Sequence, residues 1–264
     1  MKIVVCVKQT PDTAELPKVD LTRVKSGELG VTMVVNPWDE FALEEGIRLS
    51  ERFSGDVTAV SIGPEQAVAA LRTALAMGVA NAVLLSDEAF KDGDAWATAR
   101  VLAAAIKKNG AADVIITGKQ AVDGNSSLVS VGLSRLLGAN YLSGVTKVVD
   151  ISGGKITVER SMEEGKETTT ATLPAVLSVA REINEPRYPS FMGIRKANKA
   201  IIPSWTGGDL GLSAGQVGKA GSVMVWVDMR KPAARAIECV MIKADTVEQQ
   251  ASILMDRLLA DKVL

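Results

Sequence analysis

Short apolar runs that alternate with helix-like stretches are the strongest constraint on how this chain folds. The runs cover residues 2–7, 57–62, 82–85 and 113–117 and consist mainly of Val, Ile, Leu and Ala. Continuous apolar strands are typical of a parallel sheet that is buried on both faces. The alternation therefore predicts an α/β fold with a doubly wound, mostly parallel sheet.

Four helices are predicted between and after these strands. The first starts at Asn36, a residue type that favours the N-cap position. The others start after Pro64, at Asp94 and at Ser126. The stretch before the first helix, residues 8–35, has no regular period, and irregular segments of that length usually carry a function.

The pattern changes in the second half of the chain. Residues 145–151, 155–161 and 166–172 are predicted as strands of a small antiparallel hairpin segment, because short polar turns with Gly separate them. Residues 175–179 return to a buried apolar run.

The C-terminal part lacks the periodicity of a folded core. Residues 181–199 are predicted as a basic loop. From residue 201 the chain is rich in Gly and is predicted as an extended arm that does not fold alone. It ends in a helix capped by Asp245, with Glu248 in the capping-box position. The sequence thus predicts two parts, residues 1–200 and residues 201–264.

Two absences exclude whole classes of active site. The chain has 0 His, which rules out a His-based triad or a His-ligated metal within it. Its 2 cysteines, Cys6 and Cys239, are too far apart in sequence to form a CxxC pair, and no metal site is predicted. Cys6 lies in an apolar strand and is predicted to be a buried structural thiol. Redox work would therefore need a bound organic cofactor.

Charge and hydropathy limit the partners. The net charge of −1 and the lack of a basic block argue against nucleic-acid binding. No apolar run approaches the roughly 20 residues of a membrane helix, so no membrane insertion is expected. The N-terminus does not resemble a signal peptide, and we expect a cytoplasmic protein, or one in the mitochondrial matrix if the source is eukaryotic.

The loop after the fourth strand is the best candidate for a ligand site. Ligands of open parallel sheets bind beyond the carboxyl ends of the strands. The loop offers Gly residues for close backbone approach, a Lys, and a following helix whose N-terminal amides favour an anion. The residues are Thr117, Gly118, Lys119, Gln120, Ala121, Val122, Asp123, Gly124, Asn125, Ser126 and Ser127.

That loop also has a plainer interpretation. Neither a Walker A loop nor a GxGxxG fingerprint is present in the sequence. A polar strand-to-helix turn, with Asn125 or Ser126 as the cap, explains the same residues. From the residues alone, a phosphate site and a structural turn both remain open.

Two further segments have dual interpretations. At Asn36-Pro37-Trp38-Asp39, the Trp ring either packs over a capped helix start or lies against a planar ligand ring. The run 187–192, with Arg, Tyr, Phe and Met between prolines, either anchors a partner or returns Phe and Met to the core. The carboxylates form no evident acid/base pair.

Several segments in this order resemble the beta subunits of electron transfer flavoproteins, FixA-like proteins included. The resemblance covers residues 1–199 well and the remainder loosely. It rests on VVCVKQTPDTAE at 4–15, NPWDEFALEE at 36–45, IGP at 62–64 with ALRTALAMG at 70–78, GKQAVDGN at 118–125, and LPAVLSVAREINEPRYPSFMGIRKANK at 173–199.

The resemblance implies a fold and a set of partners. The fold is a doubly wound domain like that of adenine nucleotide α hydrolases, here residues 1–200 as the nucleotide-binding domain. The family pairs this subunit with an alpha subunit, on which residues 201–264 would pack. FAD lies mainly on the alpha subunit, while the beta subunit binds AMP or, in electron-bifurcating members, a second FAD.

The resemblance also implies which residues hold the nucleotide. The adenine and ribose would lie on the strand ends and the phosphates on the turn 118–127. The implied residues are Cys6, Asn36, Pro37, Trp38, Asp39, Ile62 and the run from Thr117 to Leu128.

A recognition loop is implied as well. In the family it anchors the complex to a flavin dehydrogenase, acyl-CoA dehydrogenase-like or similar. The matching residues are Glu185, Pro186, Arg187, Tyr188, Pro189, Ser190, Phe191 and Met192. Phe191 stands where the family usually has Leu, which suggests a partner pocket of different shape.

Three functions follow from this comparison. The first is an electron carrier, rather than a classical enzyme, between a flavin dehydrogenase and a downstream acceptor. The second is a bifurcating oxidoreductase with NADH as donor. Residues 11–13, 36–39 and 89–94 resemble the bifurcating members, whereas residues 124–131 depart from their pattern. The third, from another class, is a stand-alone protein that binds or hydrolyses nucleotides. The choice between AMP and FAD stays open.

Overall fold

The structure is a computed structural model that describes residues 1–19, 29–225, 227 and 239–263. The chain divides into two compact units, Met1–Val227 and Asp228–Leu264. Among the described residues, no helix is both long enough and apolar enough to cross a lipid bilayer.

One large sheet organises the first unit. Within the described residues, nine strands form this sheet in the order β11-β5-β4-β1-β6-β10-β7-β8-β9, and β2 and β3 form a separate antiparallel ribbon. The strands are β1 (Lys2–Cys6), β2 (Gln9–Pro11), β3 (Met33–Val35), β4 (Asp56–Ile62), β5 (Asn81–Leu85), β6 (Val114–Gly118), β7 (Asn140–Ser152), β8 (Lys155–Met162), β9 (Gly165–Thr172), β10 (Ala175–Val179) and β11 (Ser204–Trp205).

Helices cover both faces of this sheet. They are α1 (Pro37–Phe53), α2 (Val68–Met77), α3 (Ala95–Lys108), α4 (Val129–Leu137) and α5 (Phe191–Lys199), with α6 (Val247–Ala260) in the second unit. Successive residues of a strand point to opposite faces. Ile3 therefore packs in one apolar cluster with Leu43 of α1, whereas Val4 packs in the other with Leu102 of α3. The predicted doubly wound, mostly parallel α/β fold is confirmed.

The strand order places a topological switch at β1. The chain runs from β1 to β4 and β5 on one side and then returns to β6 on the other side. The helix that follows β1 in the chain packs on one face, and the helix that follows β6 packs on the opposite face. An arrangement of this kind leaves a crevice beyond the carboxyl ends of the strands.

The predicted antiparallel hairpin segment is continuous with the main sheet. β7 is longer than the predicted strand 145–151. Its first residues run parallel to β10, with Asn140 opposite Ala175, and its last residues pair antiparallel with β8, with Ile151 opposite Ile156.

Two predicted helix starts and one predicted loop are wrong. The helix predicted from Ser126 begins at Val129, because the left-handed backbone of Ser127, with φ of 53°, does not continue into a helix. The predicted loop 181–199 contains α5, whose N-cap Ser190 accepts a bond from the Gly193 amide at 2.9 Å. The last helix is capped by Thr246, not by Asp245.

Much of the segment after residue 200 is attached to the first unit. β11 pairs in parallel with β5. The Gly207 amide donates to Asp87 Oδ2 at 2.9 Å, and the Met224 amide donates to Asp94 Oδ2 at 2.9 Å. The remaining residues of the predicted arm, 226 and 228–238, lie outside the described residues, as do residues 20–28 of the predicted irregular stretch. In the second unit, none of the residues of α6 is buried.

Candidate functional site

The structure brings the candidate nucleotide residues together at the carboxyl ends of three adjacent strands. On the two sides of β1, Cys6 pairs with Val60 of β4 and Val5 pairs with Ile116 of β6. This register brings Ile62 and Thr117 to the same edge as Cys6. The site therefore lies at the switch point of the sheet, where the strand-end rule predicts it.

Asn36 connects the start of α1 to the loop after β6. It occupies the N-cap position, but its side chain makes no capping hydrogen bond to the helix. Instead, its Nδ2 donates to Gln120 O at 2.9 Å, and its Oδ1 accepts from the Val122 amide at 3.1 Å. The prediction that its side chain caps the helix is wrong, because these two partners across the crevice occupy both ends of the amide.

Asp39 makes the second connection. Its buried carboxylate accepts from the Lys8 amide at 2.8 Å and from the Gly118 amide at 3.2 Å. Burial raises its pKa from 3.8 to about 7, although the hydrogen bonds from the Lys8 and Gly118 amides act in the opposite direction. The first turn of α1 thus holds the ends of both β1 and β6.

Gly118 allows this close approach. A Cβ atom at this position would lie 2.6 Å from Asp39 Oδ1 and 2.6 Å from the Trp38 carbonyl carbon. Both distances are shorter than van der Waals contact permits. Only a residue without a side chain fits between β6 and the start of α1.

The rest of the loop is ordered by its own side chains. Gln120 Nε2 donates to Asn125 Oδ1 at 3.0 Å, and the Lys8 ammonium pairs with the Asp123 carboxylate at 2.7 Å. Lys8 was not among the predicted site residues. It directly follows the first predicted strand, so the strand-end rule could have identified it.

The N-terminus of α4 carries no side-chain cap. Leu128 occupies the N-cap position and supplies no capping hydrogen bond. The alternative in which Asn125 or Ser126 caps the helix is therefore wrong. The first amides of an α-helix have no partner inside the helix, and with the helix dipole they favour an anion.

Trp38 and Lys119 stand beside the loop. The indole is half-buried, and the Lys119 ammonium lies 5.9 Å from its ring centroid. Lys119 itself is exposed and is part of no ion pair among the residues described. A cation and an aromatic face are thus available at the same mouth of the crevice.

Cys6 is a buried thiol, as predicted. Burial, and secondarily the charge of Asp39, raises its pKa from 9.0 to about 12. A thiol with so high a pKa stays protonated at neutral pH and is a poor nucleophile. Cys6 can line the site but does not supply covalent or redox chemistry there.

Another cleft adjoins the loop. It has a volume of about 870 Å³ and is lined by Lys119 and Ser127 on one side and by Tyr141, Ser143 and the hairpin turn 162–167 on the other. A volume in this range is typical of cofactor and ligand pockets. Tyr141 and Ser143 are not among the predicted residues, because the sequence of a single strand does not show which distant loop it will lie beside.

The predicted recognition residues include three large exposed side chains. Tyr188 is 95% exposed, Phe191 82% and Met192 69%. The alternative in which Phe191 and Met192 return to the core is therefore wrong. Pro189 separates the exposed Tyr from α5, and Phe191 is the first residue of that helix.

Comparison with known proteins places the chain in a family. The profile described as "Electron transfer flavoprotein domain" matches residues 26–210. The chain is 42% identical to the electron transfer flavoprotein subunit beta of Thermoanaerobacterium thermosaccharolyticum over 84% of this chain and 85% of that protein. It is 38% identical to the caffeyl-CoA reductase-Etf complex subunit CarD of Acetobacterium woodii, with 98% of each chain covered. It is also 35% identical to Protein FixA of Bradyrhizobium diazoefficiens over 98% of this chain and 91% of that protein. The chain therefore belongs to the electron transfer flavoprotein family.

Proposed function

We propose that this chain is the beta subunit of a heterodimeric electron transfer flavoprotein and holds an adenine nucleotide in the crevice above β1, β4 and β6. The observation that carries the proposal is the convergence of Asn36, Asp39 and Gly118 at the switch point of the sheet. These contacts, all within this chain, fix the loop 118–127 against α1. A binding loop that is already ordered loses little entropy when a ligand arrives.

The donors at the crevice suit a phosphate. The uncapped N-terminus of α4 offers backbone amides, and Lys119 offers a positive charge. Phosphates on the turn 118–127 would leave the adenine and ribose over the strand ends at Cys6 and Ile62. Trp38 then supplies an aromatic surface at the mouth.

The chemistry of electron transfer would come from flavin. FAD would be held mainly by an alpha subunit, and this chain would bind and orient its part of the complex. Five apolar side chains of α6 are exposed in the second unit: Val247, Ile253, Leu254, Met255 and Leu259. An amphipathic helix needs a partner surface that covers its apolar side, and we propose that the alpha subunit provides this surface for α6.

A flavin dehydrogenase would dock at the exposed apolar patch formed by Tyr188, Phe191, Met192 and Ile194. Three exposed cations of α5 border it: Arg195, Lys196 and Lys199. The matching surface is an apolar pocket with an acidic rim, and an acyl-CoA dehydrogenase-like enzyme is the class we propose. The electrons would pass from this enzyme to a downstream acceptor.

The bifurcating variant has one specific observation in its favour. The cleft of about 870 Å³ continues from Lys119 and Ser127 towards Tyr141. A ligand longer than AMP, such as a second FAD, could extend from the phosphate turn into this space. NADH would then be the electron donor.

The decisive experiment counts ligands in the co-expressed heterodimer. The visible spectrum gives flavins per heterodimer, and chromatography of the acid-released fraction gives AMP. One flavin and one AMP support the ordinary carrier, while two flavins support the bifurcating variant. A heterodimer with one flavin and no adenine nucleotide in this chain would contradict the proposal. A chain that is stable alone and turns over ATP would favour the stand-alone function instead.

A further inference from the structure

A buried carboxylate on α1 holds the segment that precedes the docking patch. The side chain of Glu44 is 2% exposed. It accepts from Arg187 Nε at 2.8 Å, from the Arg187 amide at 3.2 Å and from Arg48 Nε at 2.6 Å. Arg187 also donates to Glu51, about two turns further along α1, at 2.7 Å. Its guanidinium thus spans two carboxylates of one helix.

Two neighbouring side chains, those of Asn184 and Arg48, strengthen this attachment. Asn184 Nδ2 donates to Phe41 O and to Glu45 Oε2, each at 3.1 Å. Arg48 Nη2 donates to Glu185 O at 3.3 Å. Residues 184–187 are therefore fixed to the outer side of α1 by both backbone and side-chain hydrogen bonds.

The other end of the patch is fixed to a different helix. A Cβ atom on Gly193 of α5 would lie 2.3 Å from Ala76 O of α2, so the two backbones touch. Arg72 of α2 donates to Ala197 O near the end of α5. The exposed residues 188–192 lie between these two attachments.

This arrangement joins a buried carboxylate to an exposed segment. A carboxylate that is removed from water must be fully paired, and here one of its two Arg partners comes from the segment itself. The same segment presents an aromatic ring that is 95% exposed. Ordering exposed side chains before a partner arrives lowers the entropy cost of binding.

We propose that Arg187 is a positioning residue: by clamping residues 184–187 to Glu44 and Glu51 of α1, it presents Tyr188 and Phe191 to the electron-donating partner in a fixed orientation. The inference rests on the proposed docking role of the patch and adds how that patch is held. Arg187 itself makes no contact with the partner in this account, because both carboxylates already occupy its guanidinium.

The test uses the intact heterodimer and a purified acyl-CoA dehydrogenase. Short-, medium- and long-chain enzymes are screened, and the one that reduces the wild-type heterodimer is used. The KM for the heterodimer and the limiting rate are measured for Arg187→Gln, Arg187→Lys, Phe191→Ala and Arg187→Gln/Phe191→Ala. Arg181→Gln is the matched control, because Arg181 lies on the same segment and pairs only with the neighbouring Glu182 among the described residues.

We expect Arg187→Gln to raise KM at least about fivefold with an unchanged limiting rate and unchanged ligand content. Arg187→Lys should restore part of the loss, since it keeps the charge but not the two-armed geometry. The double variant should have a KM close to that of Phe191→Ala alone, because Tyr188 is then the one aromatic side chain that the clamp still presents. Arg181→Gln should behave as wild type.

The outcomes separate the two proposals. If Phe191→Ala leaves KM unchanged, the docking role of the patch is wrong. If Phe191→Ala raises KM and Arg187→Gln does not, only the positioning role is wrong. The positioning role is also wrong if the KM increases of the two single variants multiply in the double variant. Hydrogen exchange at the amide of residue 187, which donates to Glu44 Oε2 in the wild type, gives a readout without any dehydrogenase. Equal exchange at this amide in wild type and Arg187→Gln would also overturn the positioning role.

Discussion

Asn36 Oδ1 accepts a hydrogen bond from the Val122 amide at 3.1 Å across 86 positions of sequence. This bond joins the N-cap residue of one helix to the loop that precedes another. Since the two helices pack on opposite faces of the sheet, the bond bridges the switch point itself. The candidate nucleotide crevice depends on it.

Replacing Asn36 by Ala removes both bridging hydrogen bonds. Leaving the Val122 amide and the Gln120 carbonyl unpaired in a partly buried setting should lower the free energy of unfolding by about 1–3 kcal/mol. Nucleotide content of the purified heterodimer should fall as well. Urea denaturation and ligand release measure the two effects, and Asn198→Ala, an exposed Asn on α5, is the control. Full nucleotide content in Asn36→Ala would contradict the role of the bridge.

Gly118→Ala tests the close approach of β6 and α1. The new Cβ would lie 2.6 Å from Asp39 Oδ1, so the helix start or the strand must move. Overpacking of this kind typically costs about 1–3 kcal/mol of stability. Gly124→Ala in the same loop is the matched control for stability, because a Cβ there meets nothing within 4 Å. Equal thermal midpoints for the two variants would show that the contact is not tight.

Asp39 should make stability depend on pH. Its pKa is raised from 3.8 to about 7 in the folded chain, so the folded state holds a proton that the unfolded state has released. The stability that Asp39 contributes through this bound proton is therefore fully present below about pH 4. It is lost as pH rises to about 7, and the free energy of unfolding falls with a limiting slope of about 1.4 kcal/mol per pH unit. In urea titrations from pH 5 to pH 8, wild type should lose stability relative to Asp39→Asn. A constant difference across this range would contradict the raised pKa.

Cys6 should resist thiol reagents in the folded chain. It is 7% exposed and its pKa is raised to about 12, so little thiolate is available at pH 8. Peptide mapping after iodoacetamide treatment should find Cys6 unmodified in the native protein and modified in guanidinium. Rapid native alkylation of Cys6 would mean that the end of β1 opens.

The sequence predicts the sheet well because its strands are continuously apolar. The run 175–179 coincides with β10, and the helix capped by Asp94 begins where its cap predicts, with Asp94 Oδ1 accepting from the Ala97 amide at 2.8 Å. Such signals are local, and a cap or a buried run is legible without knowledge of distant contacts.

The pairings of residues with long-range partners are harder to predict from the sequence. Asn36 is a residue type that favours the N-cap position, but its side chain binds loop residues 84 and 86 positions away. Arg187 is predicted to lie in a basic loop, while its partners Glu44 and Glu51 lie on a helix far earlier in the chain. No periodicity encodes these pairings, which only the folded sheet creates.

The most direct test of the central claim is an experimental structure of the heterodimer purified with its natural ligands. We expect an adenine nucleotide over the ends of β1, β4 and β6, with a phosphate within hydrogen-bonding distance of backbone amides between Gly118 and Val129. A crevice that is empty, or filled by side chains of this chain or of the alpha subunit, would contradict the account.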